Sequence, residues 1–314
     1  MNMERAVALA RSISDRPIPA AEPGKVFAAT QRAHDGHGVE RAYAELAIRW
    51  PSLVDAARQA VELGQQNAAI VLPIALWPFA YHTYRVTELI DLYRTVSDIA
   101  DDPTMDWPAL GDAGTRWQLA RDLGGLYERL GGSENLEQAR TWFERALTFD
   151  YPAGRASCLE WLGIVRERQG FPEQASALFD DAESALELIP DTAVRQRALA
   201  LLEMHRGRCL VTVGLVDRAE HHLRAAISFF DTRSADGNNA ARCRVLLGDI
   251  CDLRGDDVAA RRMWNDELGV LLRHGMRAEA AAVHRKLARL ADRAGDSIAA
   301  QDHRDQADES CPLP

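Results

Sequence analysis

Five times along the chain a Leu-Gly-like pair is followed seven residues later by a glycine. Leu123-Gly124 is closed by Gly131, Leu162-Gly163 by Gly170, Arg206-Gly207 by Gly214, Leu247-Gly248 by Gly255, and Leu287-Ala288 by Gly295. Successive registers lie 39, 44, 41 and 40 residues apart. In the last four segments an alanine follows the closing glycine by five residues: Ala175, Ala219, Ala260 and Ala300. In the first, the insertion Gly132-Ser133-Glu134 displaces it to Ala139. A large residue comes four positions later at Phe143, Phe179, Leu223 and Trp264, and a small one at Ala146, Ala182 and Ala226. Self-similarity at a period of about 40 residues is the signature of stacked supersecondary units, each unable to bury its apolar faces alone.

The residue types say what each unit is. Leu119, Leu123, Leu126 and Leu130 recur at helical spacing, as do Val283, Leu287, Leu290 and Ala294. The small residue after the leucine lets two helices approach closely. The closing glycine suits a left-handed cap before the chain reverses. The alanine of the second helix fits against the first, and Phe or Trp fills the gap to the next unit. The expected fold is all-α, a right-handed solenoid of antiparallel helical hairpins.

Upstream the register weakens. Trp50-Pro51 reads as a helix start, because proline is tolerated in the first turn, and Gly64 as its end. Asn67 to Tyr84 and Val86 to Ala100 read as a second helical pair. The expected organisation is an N-terminal helical extension over 1–38, degenerate hairpins over 39–102, a linker over 103–115, and five repeats with a polar capping helix over 116–310.

Composition narrows the function. Of the 314 residues 47% are hydrophobic, enough for a substantial core and against disorder. Lys+Arg is 37 against Asp+Glu 47, a net charge of −10. That argues against phosphate-backbone binding as the main task, and no direct DNA binding is expected. Five cysteines without a CxxC pair suit a reducing compartment, so a cytoplasmic location is expected. The N-terminus lacks the apolar core of a signal peptide. The most apolar stretch, Ala68 to Tyr81, holds Pro73 and Pro78 and is too short to span a membrane.

Arg116-Trp117 through Leu147, with Leu123-Gly124, Tyr127, Ala139, Phe143 and Ala146, resembles the tetratricopeptide repeat (TPR) family, with a period longer than the family's 34 residues. The departures are Arg206 in place of leucine and Arg304 in place of an aromatic. Trp50-Pro-Ser-Leu, then Ala75-Leu-Trp-Pro-Phe-Ala-Tyr81, then the repeats, makes residues 40–300 similar to the C-terminal sensor of actinomycete NB-ARC (STAND-type) transcriptional regulators. The nucleotide switch of that family is missing, since no GxxxxGK[ST] occurs; the resemblance therefore implies a stand-alone or excised sensor.

The TPR resemblance also implies a groove lined by the first helix of each repeat. The matching positions are Gln118, Arg121 and Glu128; Glu160, Ile164 and Glu167; Met204 and Arg208; Arg242, Asp249 and Asp252; Arg285, Arg289 and Asp292. Arginine there suits backbone carbonyls and carboxylates of a peptide. Arg285, Arg289 and Arg293 recur every four residues beside Lys286, with Asp292 and Asp296 as candidate intrahelical neutralisers.

Other clusters read as structure. His34-Asp-Gly-His37 lacks the further ligands a metal needs. His221 and His222 diverge on their helix. Cys209, Cys243 and Cys251 read as buried small hydrophobes. Trp77, Phe79, Tyr81, Tyr84 and Tyr93 either pack between hairpins or line a small-molecule pocket. No catalytic motif, metal site or cofactor is indicated, and the reading leans against an enzyme. The expected function is a non-catalytic, regulatory protein-interaction scaffold binding a peptide segment or partner protein. A peptide- or metabolite-sensing receptor is the alternative, an enzyme using the helical cavity the remote third, and a homo-oligomer is left open.

Overall fold

The computed structural model describes residues 36–102, 104, 108–234, 237–273 and 276–310. The extension read over 1–38 lies outside them up to residue 35, and so do His34 and Asp35 of the histidine cluster. Among the described residues all regular structure is helical: thirteen α-helices, a 3-10 turn at Pro108–Leu110 and a π turn at Phe230–Ser234.

The chain forms two compact units that divide between Pro190 and Asp191. The division falls in the 44-residue interval between the second and third registers. The preceding helix ends at Leu186, Pro190 has no amide hydrogen to donate, and the Asp191 carboxylate caps the helix that follows by accepting from the amides of Ala193 (2.8 Å) and Val194 (3.1 Å).

The first unit holds α1 (Gly36–Glu62), α2 (Gln66–Thr83), α3 (Thr87–Asp101), and the hairpins α4 (Ala113–Leu130) with α5 (Ser133–Thr148) and α6 (Pro152–Arg168) with α7 (Pro172–Leu186). The second holds three hairpins: α8 (Thr192–Thr212) with α9 (Val216–Phe229), α10 (Gly237–Leu253) with α11 (Asp257–Arg273), and α12 (Arg277–Arg293) with α13 (Ser297–Ser310).

Each repeat position has a steric reason. A Cβ added at Gly124 would lie 2.8 Å from the Phe143 ring, at Gly163 2.3 Å from Phe179, at Gly207 2.7 Å from Leu223, and at Gly248 2.5 Å from Trp264. The large side chain of the second helix thus seats on the glycine of its own first helix. It also reaches onward: Phe143 stacks on Trp161 of the next hairpin at 5.7 Å. The closing glycines have φ between +69° and +86°, where a side chain is strained. At Gly170 the following amide, Phe171 N–H, reaches back to Arg166 C=O at 2.9 Å, closing the helix.

Trp50-Pro51 does not start a helix. The helix α1 begins at Gly36 and carries Pro51 inside it. Leu46, Trp50, Leu53, Val54, Ala57 and Ala60 form one buried stripe on both sides of the proline. Burying that stripe, at about 2 kcal/mol for each large side chain, outweighs the ~3 kcal/mol helix penalty of the proline. The second helical pair read upstream corresponds to α2 and α3. The helix α2 is buried from Leu72 to Ala80, including both prolines, with Asn67 exposed at its start and Tyr81 to Thr83 half-buried at its end. Along α13 only Ala300 and Ala307 are buried, as a polar capping helix requires.

Candidate protein-interaction site

In the first unit α2, α4 and α6 lie side by side. Their side chains build a column of rings and guanidinium groups. Tyr84, at the end of α2, lies 4.2 Å from Arg129, and Arg129 lies 4.6 Å from Tyr81. Tyr81 stacks on Trp77 at 4.6 Å with the planes 11° apart. Arg121 sits between Trp77 at 5.3 Å and Trp161 at 5.4 Å. Phe143 closes the column against Trp161. Tyr81, Arg121, Arg129 and Trp161 are half-buried and Tyr84 is exposed. Each cation–ring contact contributes about 0.5–2 kcal/mol, more where water is excluded.

A buried polar network fixes the base of the column. Asp122 is fully enclosed. Its carboxylate accepts from Tyr93 Oη at 2.9 Å and Arg121 Nη1 at 2.8 Å, and its carbonyl accepts from Trp77 Nε1 at 2.8 Å. Further along α4, Glu128 accepts from Tyr81 Oη at 3.0 Å and pairs with Arg168 of the next hairpin. Arg129 Nε donates to Tyr81 C=O at 2.7 Å.

Several positions read as groove-lining serve cohesion between repeats. Glu128–Arg168 in the first unit and Asp252–Arg293 in the second occupy the same register: an acid four residues after the small residue, an arginine five after it in the next repeat. Arg293 also reaches Asp257 at 3.0 Å. Arg242 pairs with Glu279 at 2.9 Å. Asp249 pairs with Lys286 and accepts from Trp264 Nε1 at 3.1 Å. Burial raises the Asp249 carboxyl above its ordinary value, and the Lys286 ammonium opposes that shift. Glu160, Glu167 and Arg208 are half-buried on first helices. Arg289 is exposed and Arg285 half-buried. The neutralisers of the α12 stripe come from α10 and α11. Asp292 pairs instead with Arg304, and Asp296 caps α13 through the Ala299 amide.

The aromatic group divides by role. Phe79 and Tyr93 are core, Trp77 packs on Gly125, and Tyr81 and Tyr84 reach the surface. Trp161, Arg129 and Arg168 complete the site although the repeat pattern alone does not single them out. One signal is present in the sequence: Trp161 is the one Phe, Tyr or Trp at a register position held elsewhere by Asp122, His205, Leu246 and Lys286.

Among the described residues no group of three or more His, Cys, Asp or Glu is placed to hold a metal. Cys158, Cys209 and Cys243 are buried. The Cys158 thiol accepts from Trp117 Nε1 at 3.1 Å, and burial pushes it up to about 12, so it is no nucleophile at neutral pH. His222 Nδ1 contacts Glu203 at 2.7 Å.

His284 of α12 and His303 of α13 meet Nδ1 to Nδ1 at 3.3 Å. Burial, and then the neighbouring His303, lower the His284 imidazole below its ordinary pKa. The folded protein thus resists a proton that the unfolded chain accepts. Stability is full above the ordinary histidine pKa and is lost as pH falls through it towards the folded value. Urea midpoints are expected to drop between about pH 7.5 and about pH 5.5, and to drop less in His284→Gln. Equal drops would place the acid sensitivity elsewhere.

No protein-family model and no curated protein matches the chain. Solved structures do. The chain is similar to a Rap protein complexed with Competence and Sporulation Factor, at 14% identity over 85% of this chain and 76% of that one, with a TM-score of 0.59. It is similar to the apo form of RapI at 12% identity, 88% and 91% coverage, and a TM-score of 0.57. BtubC (BKLC) from P. vanneervenii aligns at 16% identity, 72% and 93% coverage, and a TM-score of 0.49. The Rap likenesses show the fold, an all-α helical-repeat construction of the solenoid type. No described helix is long and apolar enough to cross a membrane.

Proposed function

We propose that this protein is a non-catalytic interaction scaffold whose first unit grips a segment of a partner protein on the Tyr84–Trp161 column. One observation carries the reading. At the ends of six other helices the residue with positive φ is glycine, at Gly64, Gly131, Gly170, Gly214, Gly255 and Gly295. At the end of α2 it is Tyr84, with φ at +59°. A side chain there costs about 1 kcal/mol that glycine avoids. Its ring is exposed and rests on Arg129. Strained backbone recurs at binding sites, and an exposed aromatic ring on a rigid support suits a binding anchor. Tyr, Trp and Arg are also the residue types that dominate protein interfaces. The Rap protein with this fold was captured in complex with Competence and Sporulation Factor, which supports reading the fold as one that holds a partner.

The test uses peptides selected on the full chain from a phage-displayed library. Tyr84→Gly removes the ring and relieves the left-handed strain, so stability stays within about 1 kcal/mol. Affinity is expected to fall about tenfold or more. Failure to enrich any peptide, or equal affinity of Tyr84→Gly, defeats the reading.

A further inference from the structure

The cations of α12 fall into two groups. Lys286 and Arg293 are each matched by acids of the preceding hairpin, Asp249 for the first and Asp252 with Asp257 for the second. Arg242 on α10 is likewise matched by Glu279. Arg277, Arg285 and Arg289 have no such match, and the last two stand one turn apart. Arg289 is exposed and makes no ion pair among the described residues. Arg285 is half-buried, and its Nη2 is enclosed with no acceptor in reach. That nitrogen is closed to a ligand, and the rest of the Arg285 guanidinium makes no ion pair among the described residues. Asp249 is committed to Lys286 and Trp264, and Asp292 to Arg304. In a chain with a net charge of −10, Arg285 and Arg289 are two uncompensated arginines one helical turn apart.

Their spacing specifies a ligand. Residues four apart on a helix stand one above the other, about 6 Å apart along the axis. Alternate residues of an extended chain point to the same side about 6.6 Å apart. Two carboxylates at alternate positions of an extended segment therefore match two guanidinium groups at Arg285 and Arg289. The exposed fork of Arg289 can take a carboxylate in bidentate fashion, a geometry that lysine lacks, while Arg285 meets the second carboxylate through a single nitrogen of its guanidinium.

We infer that Arg285 and Arg289 form a binding site in the second unit for an extended acidic segment of a partner protein, with carboxylates at alternate positions. The site is separate from the Tyr84 column, and neither stands or falls with the other.

The experiment is fluorescence anisotropy of fluorescein-labelled Ser-Asp-Ser-Asp-Ser on the full chain at low ionic strength. A probe of the same length with a single aspartate is the comparison. The alternating probe is expected to bind about tenfold more tightly than the single-aspartate probe. Arg285→Ala with Arg289→Ala removes that advantage. Arg285→Lys with Arg289→Lys keeps the charge and the fold, and is expected to lose most of it too. Arg261→Ala with Arg262→Ala, an equal charge change on exposed positions of α11, keeps affinity within about twofold. Inorganic phosphate at equal concentration leaves the alternating probe bound. The inference is overturned if the unaltered chain does not bind the alternating probe. It is also overturned if the α11 pair weakens binding as much as the α12 pair, if the lysine variant binds as the parent does, or if phosphate displaces the probe.

Discussion

Gly163→Ala is expected to destabilise the protein by about 3 kcal/mol, the upper end of the usual range for overpacking. The new methyl would sit 2.3 Å from Phe179 Cε1, 2.7 Å from Cδ1 and 2.9 Å from Cζ. The Phe179 ring is fully buried and cannot swing into solvent. Phe179→Ala alone is expected to cost about 3–5 kcal/mol through the cavity it leaves. Combined, the two changes should cost less than their sum by about 2 kcal/mol, because each relieves the defect of the other. The chain contains its own precedent. In the fifth repeat the small residue is Ala288, and the opposing position is Arg304, which lies partly exposed and pairs with Asp292. Where the glycine gains a methyl, the large apolar partner is gone. Urea unfolding of the two single variants and the double variant measures the coupling; strictly additive losses would refute the contact.

That pairing is legible in the amino-acid sequence because both members recur at fixed offsets. Four glycines face four large residues, and steric fit leaves few alternatives. The closing glycines are legible for the same kind of reason: a reversal at the end of a helix needs a left-handed residue, and glycine supplies it without strain. Pro51 misleads because local propensity is a weak force beside burial. Its penalty is fixed, whereas the stripe from Leu46 to Ala60 gains with every turn.

The site is less legible, for two physical reasons. Ion pairs between repeats join residues about 40 positions apart, and a single helix viewed alone shows such residues as solvated charges. Glu128 and Arg293 have the look of ligand contacts until Arg168 and Asp252 are placed in the same register as their partners. The second reason is backbone conformation. Nothing in the string Tyr81-His-Thr-Tyr84 announces that its last residue is left-handed, because the tyrosine replaces the glycine that would have marked the turn.

Asp122→Ala should cost about 3–5 kcal/mol, the loss expected when one partner of a buried pair is removed. The carboxylate is wholly buried and serves two donors at once, Tyr93 Oη and Arg121 Nη1. Without it the Tyr93 hydroxyl has lost an acceptor inside the core. The Arg121 guanidinium, with a side chain only 15% exposed, is left between Trp77 and Trp161 without its counter-ion. Asp122→Asn keeps an acceptor oxygen and loses the charge, so about 1–3 kcal/mol is expected. Replacing the whole network is a different experiment. Asp122→Leu with Arg121→Met and Tyr93→Phe leaves no orphaned polar group, and apolar triads of this kind are often as stable as the ions they replace. The triple variant is therefore expected to recover most of the stability lost in Asp122→Ala. It should not recover binding at the Tyr84 column, because Arg121 no longer holds the two tryptophans in one orientation. Denaturant midpoints and peptide affinity measured on the same three variants separate these roles. If affinity returns with stability in the triple variant, the network serves folding alone, and the column needs no arginine at its centre.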